Sequence, residues 1–411
     1  MQSLLGNFRV LDLTDEKGLL CGKILGDLGA DVVKIERPGG DAARNFGPFY
    51  HDIPNPKKSL FWFAFNTSKR GITLDIETND GQRIFKRLAE TADFVVESFP
   101  PGYLAQLGLG YSALREINPR IIMTSISPFG QAGPYKDYKA CDIVIMAMGG
   151  LMYICGDADR APIRISVEQS YHQAGAQAAV ASLIAHYYRE LTGQGQWVDV
   201  SMQECIVWTT NYSVPYWNFG RQRFARSGNR QTRMQVTYRS IFPCKDGYIY
   251  YRVMTGPMMG QGQARLVEAM DEERLAGDLK EVNWAGLSFE KVPQKDIDHW
   301  EEAVGTYFMN HTKAELHELA VKRDIMLIPV KSPKGIIEYS QLCARDYWTA
   351  IEHPELGTTI TYPGAAFVTS KTSCAPQRRA PLIGEHNEEI YERELGLSRE
   401  ELTALKEGNV I

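Results

Sequence analysis

The chain has 411 residues, more than one domain usually holds, so two domains are expected. Hydrophobic residues at 44% and charged residues at 23% are the makeup of an ordinary globular protein. A net charge of −5 argues against nucleic acid or an anionic membrane surface as the main partner.

Seven cysteines, Cys21, Cys141, Cys155, Cys205, Cys244, Cys343 and Cys374, are scattered and form no C-x-x-C pair. The pattern predicts reduced thiols in the cytoplasm, with neither a disulfide framework nor a zinc site. The first residues show no basic stretch followed by an apolar run, so no signal peptide is expected. No run of 18 apolar residues predicts a membrane span.

In chain order, RVLDLT (9–14) reads as a strand. Residues 17–28 place apolar side chains at helical spacing, Gly29 stands at a C-cap position, and DVVKIE (31–36) reads as a second strand. Strand, helix and strand make a right-handed βαβ unit with parallel strands. A second unit follows: GITLDI, then a helix opened by Thr78 or Asn79, then DFVVESF. RIIMTSISPF (120–129) has the near-continuous apolar run of a buried parallel strand. The turn after the first strand is DLTDEKG, so the G-x-G-x-x-G dinucleotide fingerprint is absent. A helix over about 172–190 carries six alanines, which suit a closely packed core.

From about 215 the character changes to short strands and charged helices, with a hairpin turn at Lys245-Asp246-Gly247. The expected architecture is α/β: a Rossmann-like large domain from residues 1–214 and 331–411, and a smaller α+β middle domain over 215–330. Near the end, Ser398 and Glu401 form a capping-box pair opening the last helix.

Five ordered blocks carry a resemblance. They are VLDLT…LGDLGADVVKIERPGGDAAR, FNTSKRGITLDI, VVESFPPGYLAQLGLGY, SISPFGQAGPYKDYKACD and APLIGEHNEEIYERELGL. Between the last two, a small-residue helix runs into RELTGQGQWVDVS. The whole set resembles the family III CoA-transferases. The resemblance implies coenzyme A or an acyl-CoA as substrate, no permanently bound cofactor, no metal, and two chains threaded through each other as an intertwined dimer. It places the family's CoA contacts on Arg37, Ile72, Ser98, Phe99, Gln106 and Lys139, and a glycine flap over the thioester on Gly256, Gly260 and Gly262.

One departure matters most. The family's nucleophilic aspartate stands four residues before a glycine. Here the glycine is Gly175 and the position four before it is Tyr171. A phenol, with pKa about 10, is a poor substitute for a carboxylate nucleophile. Glu168 is the nearest carboxylate on the same stretch; its plainer reading is a solvated loop residue. His172 is a further acid–base candidate, more simply structural. Cys141 stands where the family's racemases carry a histidine, which disfavours racemase chemistry, and Asp142 matches the family's aspartate there as a structural residue. Asp15 and Glu16, in a loop where the family has A-G-P, would repel a phosphate-bearing ligand. Three functions are open at this point. The chain is the subunit lacking the aspartate in a heteromer with a homologous chain that supplies it; or it is an independent homodimer using Glu168; or it binds acyl-CoA without turnover. The donor is succinyl-CoA by analogy.

Overall fold

A computed structural model describes residues 3–221, 225–233, 236–288 and 291–411. Six strands form one parallel sheet: β1 (Arg9–Leu13), β2 (Asp31–Glu36), β3 (Lys69–Thr73), β4 (Phe94–Glu97), β5 (Ile122–Ser127) and β6 (Trp197–Ser201). Their order is β3-β2-β1-β4-β5-β6, the doubly wound arrangement with its switch point between β1 and β4. The strands are short and apolar on both faces because helices cover both. Leu11, Val33, Ile72, Val95 and Met123 pack toward helix Asn79–Ala89 and the C-terminal residues Tyr391 and Leu402. Val10, Val32, Phe94, Val96 and Ile122 face the helices Leu19–Asp27 and Gln169–Thr192, where Ala174, Ala178 and Ala185 allow close approach.

The expected elements appear with shifted ends. The third strand lies at Lys69–Thr73, not over 71–76; Leu74 already leaves the sheet. The strand expected over 120–129 is confined to Ile122–Ser127. Thr78 caps the next helix through its hydroxyl, which accepts from Gly81 N–H, and Ser398 with Glu401 forms the full capping box. Gly29 adopts φ +99°, as the C-cap reading requires.

β3 is an edge strand, and the chain's far end closes it. Gly71 N–H donates to His386 Nδ1 (3.1 Å), and His386 N–H donates back to Gly71 O (2.9 Å). Asn387 Oδ1 accepts from Thr73 N–H, and Tyr391 OH donates to Thr73 O. Burial pushes His386 below the usual imidazole range, which suits an Nδ1 that accepts a hydrogen bond. Arg70 bonds Asp31, Glu389 and Glu394 beside it.

The chain divides into two compact units. One comprises Met1–Met152, Arg164–Gln222 and Ser340–Ile411; the other comprises Tyr153–Ile163 and Arg223–Tyr339. In the second unit, strands Ile241–Cys244 and Gly247–Tyr250 pair antiparallel around Lys245-Asp246, and Ile328–Pro329 adds a third strand. Helices Gly260–Glu272, Gln294–Met309 and Lys313–Arg323 cover them. The three flap glycines differ in geometry. Gly256 alone has a positive φ, +96°. Gly260 and Gly262 lie in the first turn of helix Gly260–Glu272, so positive φ is not their reason for being there. At Gly260 a Cβ would stand 2.1 Å from Trp284 O, so close backbone approach requires that glycine. Among the described residues no helix is long and apolar enough to cross a membrane.

Candidate active site

The site is built where helix Gln169–Thr192 crosses the start of helix Leu19–Asp27, just after the loop that follows β1. Gly175 sets that meeting: a Cβ there would stand 2.9 Å from Leu20 Cβ. The close crossing brings Tyr171, one turn earlier, toward the loop carrying Asp15 and Glu16. Tyr171 is 9% exposed. Its hydroxyl accepts from Asp142 N–H at 3.2 Å. The Asp142 carboxylate in turn accepts from Ser170 N–H and Ser170 Oγ, both at 2.8 Å, so Asp142 anchors the helix N-terminus as a structural residue. Burial first, then the Glu16 carboxylate, pushes the Tyr171 phenol further above its ordinary range. At neutral pH the group is a neutral phenol, with no anionic nucleophile at this position.

The other candidates divide. Glu168 occupies the N-cap position, half-buried, and its side chain makes no capping bond. His172 stacks on Phe65 with ring centroids 5.3 Å apart, and burial lowers its pKa, as expected of a packed imidazole. Cys141 is exposed at the start of helix Asp142–Met148.

The two acidic residues of the first loop are partly offset. Asp15 pairs with Lys17, accepts from Ser98 Oγ at 2.7 Å, and donates its own N–H to the same hydroxyl. Ser98 is therefore a tie between the first loop and the end of β4. Burial, then Asp15, raises Glu16. The bare acidic pair expected from the sequence is thus a half-buried cluster containing one cation.

Of the residues matched to CoA contacts, the structure brings Arg37 to the carboxyl end of β2 and Ser98 and Phe99 to that of β4, with β1 between them. Arg37 is exposed and pairs with Glu77 at 3.1 Å; Tyr103 OH donates to the same carboxylate, and Phe99 packs on Tyr103 at 4.8 Å. Gln106 and Lys139 are exposed. Ile72 differs: the whole residue, main chain included, is buried in the core.

Near Phe99 lies a cleft of about 420 Å³ at the carboxyl end of β4 and along β5, reached by Trp197 from the start of β6, and lined by Glu97, Pro100, Tyr103, Leu104, Ser125 and Trp197 among others. Such edges are where open α/β sheets hold ligands. Glu97 was not singled out from the sequence. It is buried, its Oε2 accepts from Phe99 N–H at 2.7 Å, and Trp197 Nε1 donates to Ser125 Oγ, which bonds Glu97. Burial pushes its carboxyl up to about 7. A folded-state value above the ordinary 4.5 means the protonated acid stabilises the fold at low pH, and that stability is lost as pH rises through about 7. Glu97→Gln should therefore remove a pH-dependent loss of up to about 3 kcal/mol between pH 5 and 8. Urea unfolding at both pH values measures it, and parallel slopes for variant and wild type would contradict the assignment.

A second group missed from the sequence underlies the loop. Lys69 Nζ, fully buried, donates to Asp12 Oδ2, Leu19 O and Asn66 Oδ1 at 2.8–2.9 Å. Lys34, also buried, bonds Thr14 O and stands 4.0 Å from Asp12. Burial opposes charge on Asp12, but the two lysines prevail and hold its carboxyl below the usual range.

The comparisons agree with this architecture. The model of CoA-transferase family III matches residues 5–387. The succinyl-CoA:(R)-benzylsuccinate CoA-transferase subunit BbsE of Thauera aromatica is 34% identical over 389 residues, 93% of this chain and 92% of its own. The formyl-CoA:oxalate CoA-transferase of Streptomyces avermitilis is 34% identical over a 435-residue alignment spanning 100% of both chains. A crystal structure of a CaiB/BaiF family protein from Brucella suis superposes with a TM-score of 0.82 at 25% identity, covering 95% of this chain and 100% of its own. With the family's fold, its ordered sequence blocks and these matches in agreement, the chain belongs to CoA-transferase family III and is a CoA-transferase or a subunit of one.

Proposed function

We propose that this chain is the subunit without a carboxylate nucleophile in a two-chain CoA-transferase. The pair moves CoA from an acyl-CoA, succinyl-CoA by analogy with the relatives, to a carboxylic acid, and the homologous partner supplies the aspartate. The observation that carries the reading is Tyr171: a buried, neutral phenol at the nucleophile's position.

The chemistry demands a carboxylate. It attacks the thioester carbonyl, forming a mixed anhydride and releasing CoA thiolate. The thiolate returns to the enzyme's acyl carbon, giving an enzyme–CoA thioester and the free donor acid. The acceptor acid repeats both steps in reverse. A neutral phenol supports neither the first attack nor the anhydride. Arg37, Phe99, Ser98, Gln106 and Lys139 would hold the CoA of this subunit; the family resemblance assigns the role of covering a thioester to the segment around Gly256, Gly260 and Gly262.

A partner chain is supported by the surface of the first unit. Helix Gln169–Thr192 leaves Val180, Ile184, Tyr187 and Leu191 at least half exposed along one face. Trp208 and Phe219 are exposed nearby in the sequence, Phe219 at 92%. Apolar area on this scale marks a protein interface, and the intertwined dimer of the family would cover it. The relative BbsE is itself named as a subunit. A reduced, cytoplasmic setting suits the seven cysteines, none of which forms a disulfide among the described residues.

The chain alone should transfer no CoA from succinyl-CoA to dicarboxylic or aromatic acids. Together with a homologous chain bearing aspartate four residues before the matching glycine, it should do so. Mass-spectrometric detection of the new thioester reads both arms. Full turnover by the lone chain would sink the heteromer. Because Glu168 is a half-buried carboxylate without a capping bond, Glu168→Gln would then decide for an independent homodimer, and an intact rate in that variant would remove Glu168 as well.

A further inference from the structure

The cleft of about 420 Å³ near Phe99 has a floor and walls of unlike chemistry. None of the residues matched to CoA contacts lines it, and all of its lining residues belong to the first unit. On its floor stands Glu97, 5% exposed. Its carboxylate accepts from Phe99 N–H at 2.7 Å and from the Ser125 hydroxyl. A carboxylate offers about four lone-pair sites, so about two remain for a ligand. No lysine or arginine among the described residues pairs with Glu97, and Asp15 and Asp199 add negative charge nearby. A buried anion without a counter-ion is costly, and a cation brought to it relieves that cost.

The walls suit the same charge. Tyr103, Tyr111 and Trp197 line the cleft with their polar ends engaged away from it or at its floor. Tyr103 OH donates to Glu77, Tyr111 OH to Gly195 O at 3.0 Å, and Trp197 Nε1 to Ser125 Oγ at 3.0 Å. Rings pinned in this way leave apolar surface for a ligand, and aromatic rings attract cations. Lys136, the only cation among the lining residues, is exposed.

We infer that this cleft binds a small organic ammonium ion with an aromatic or apolar body, its N–H groups on Glu97 and its body against Tyr103, Tyr111 and Trp197. The inference is independent of the transfer reading, since it requires neither CoA nor a second chain.

2-Phenylethylamine, charged at neutral pH, is the probe, and 2-phenylethanol, similar in shape but uncharged, is the control. Both are titrated into the full chain by calorimetry at pH 8, and the indole N–H signal of Trp197 is followed by NMR. The amine should bind at least tenfold more tightly than the alcohol and shift that signal. Glu97→Gln keeps an oxygen that can accept from Phe99 N–H, and it should weaken the amine at least tenfold. Trp197→Leu, at a half-exposed position, should weaken it several-fold. Because the Glu97 carboxyl lies at about 7, protons compete with the amine: affinity should fall about tenfold from pH 8 to pH 6 in the wild type and stay level in Glu97→Gln. Asp15, Asp199 and Lys136 remain in that variant, and the phenols of Tyr103 and Tyr111, raised by burial, stay neutral over this range, so the difference between the two profiles isolates Glu97. Equal binding of amine and alcohol would overturn the proposal. So would unchanged affinity in Glu97→Gln, binding that leaves the Trp197 signal still, displacement of the amine by CoA, or no binding up to millimolar probe.

Discussion

Tyr171→Asp yields no stoichiometric CoA adduct in the isolated chain, even though it recreates the family's nucleophile in the sequence. The expectation follows from the surroundings of residue 171. The phenol reaches Asp142 N–H with its far end; a carboxylate attached at Cβ falls well short of that donor. It would instead be buried between the carboxylates of Glu16 and Asp142, whose charges act on residue 171 along with its burial. Desolvation and two like charges all raise a carboxyl pKa, so the nucleophilic anion is depleted. Loss of the ring also opens a cavity, and truncating a buried aromatic costs about 3–5 kcal/mol. Intact-mass measurement after incubation with succinyl-CoA, on protein shown to be folded by circular dichroism, tests the chemistry; urea unfolding tests the stability. A stoichiometric adduct on residue 171 would show that the pocket needs only the carboxylate, and the argument from its neighbours would fall.

Lys69→Met should destabilise the chain by about 3–5 kcal/mol, the usual cost of leaving one member of a buried ion pair without its partner. Three acceptors lose their donor at once: Asp12, Leu19 O and Asn66. Asp12 keeps Thr14 N–H and Thr14 Oγ, but its nearest remaining cation is Lys34 at 4.0 Å. The double variant Lys69→Met with Asp12→Leu should regain most of the loss, because exchanging a whole buried pair for apolar groups is often nearly neutral. Denaturant unfolding of the single and double variants reads both. A single variant within about 1 kcal/mol of wild type, the range of an exposed pair, would show that the network is solvated in solution.

The parallel sheet was legible because its strands are continuous apolar runs and its helices carry their own caps at Thr78 and Ser398. Strand ends were less so: in GITLDI the alternation continues past Thr73, but Leu74 and Ile76 pack in the core from outside the sheet. The empty nucleophile position was visible by counting back from Gly175, and the structure adds why that glycine is there. The buried charges were present as single polar letters in apolar strands, Asp12 in RVLDL, Lys34 in DVVKIE and Glu97 in FVVE. Periodicity does not reveal which of them meet, because Lys69 and Asp12 are 57 residues apart and join only through the sheet's order. The same limit applies to Ile72: a strand residue matched by position to a ligand contact turned out to point into the core.

The closing of β3 by His386, Asn387 and Tyr391 has a consequence for synthesis. A ribosome makes the first six strands long before it makes residues 386–411, and residues 223–339, the larger part of the second unit, are translated in between. Throughout that interval β3 presents open main-chain donors and acceptors, the condition in which sheet edges recruit foreign strands. The large unit can therefore reach its final form only after residues 386–391 leave the ribosome, and a chain cut short before His386 would emerge with this sheet edge uncovered.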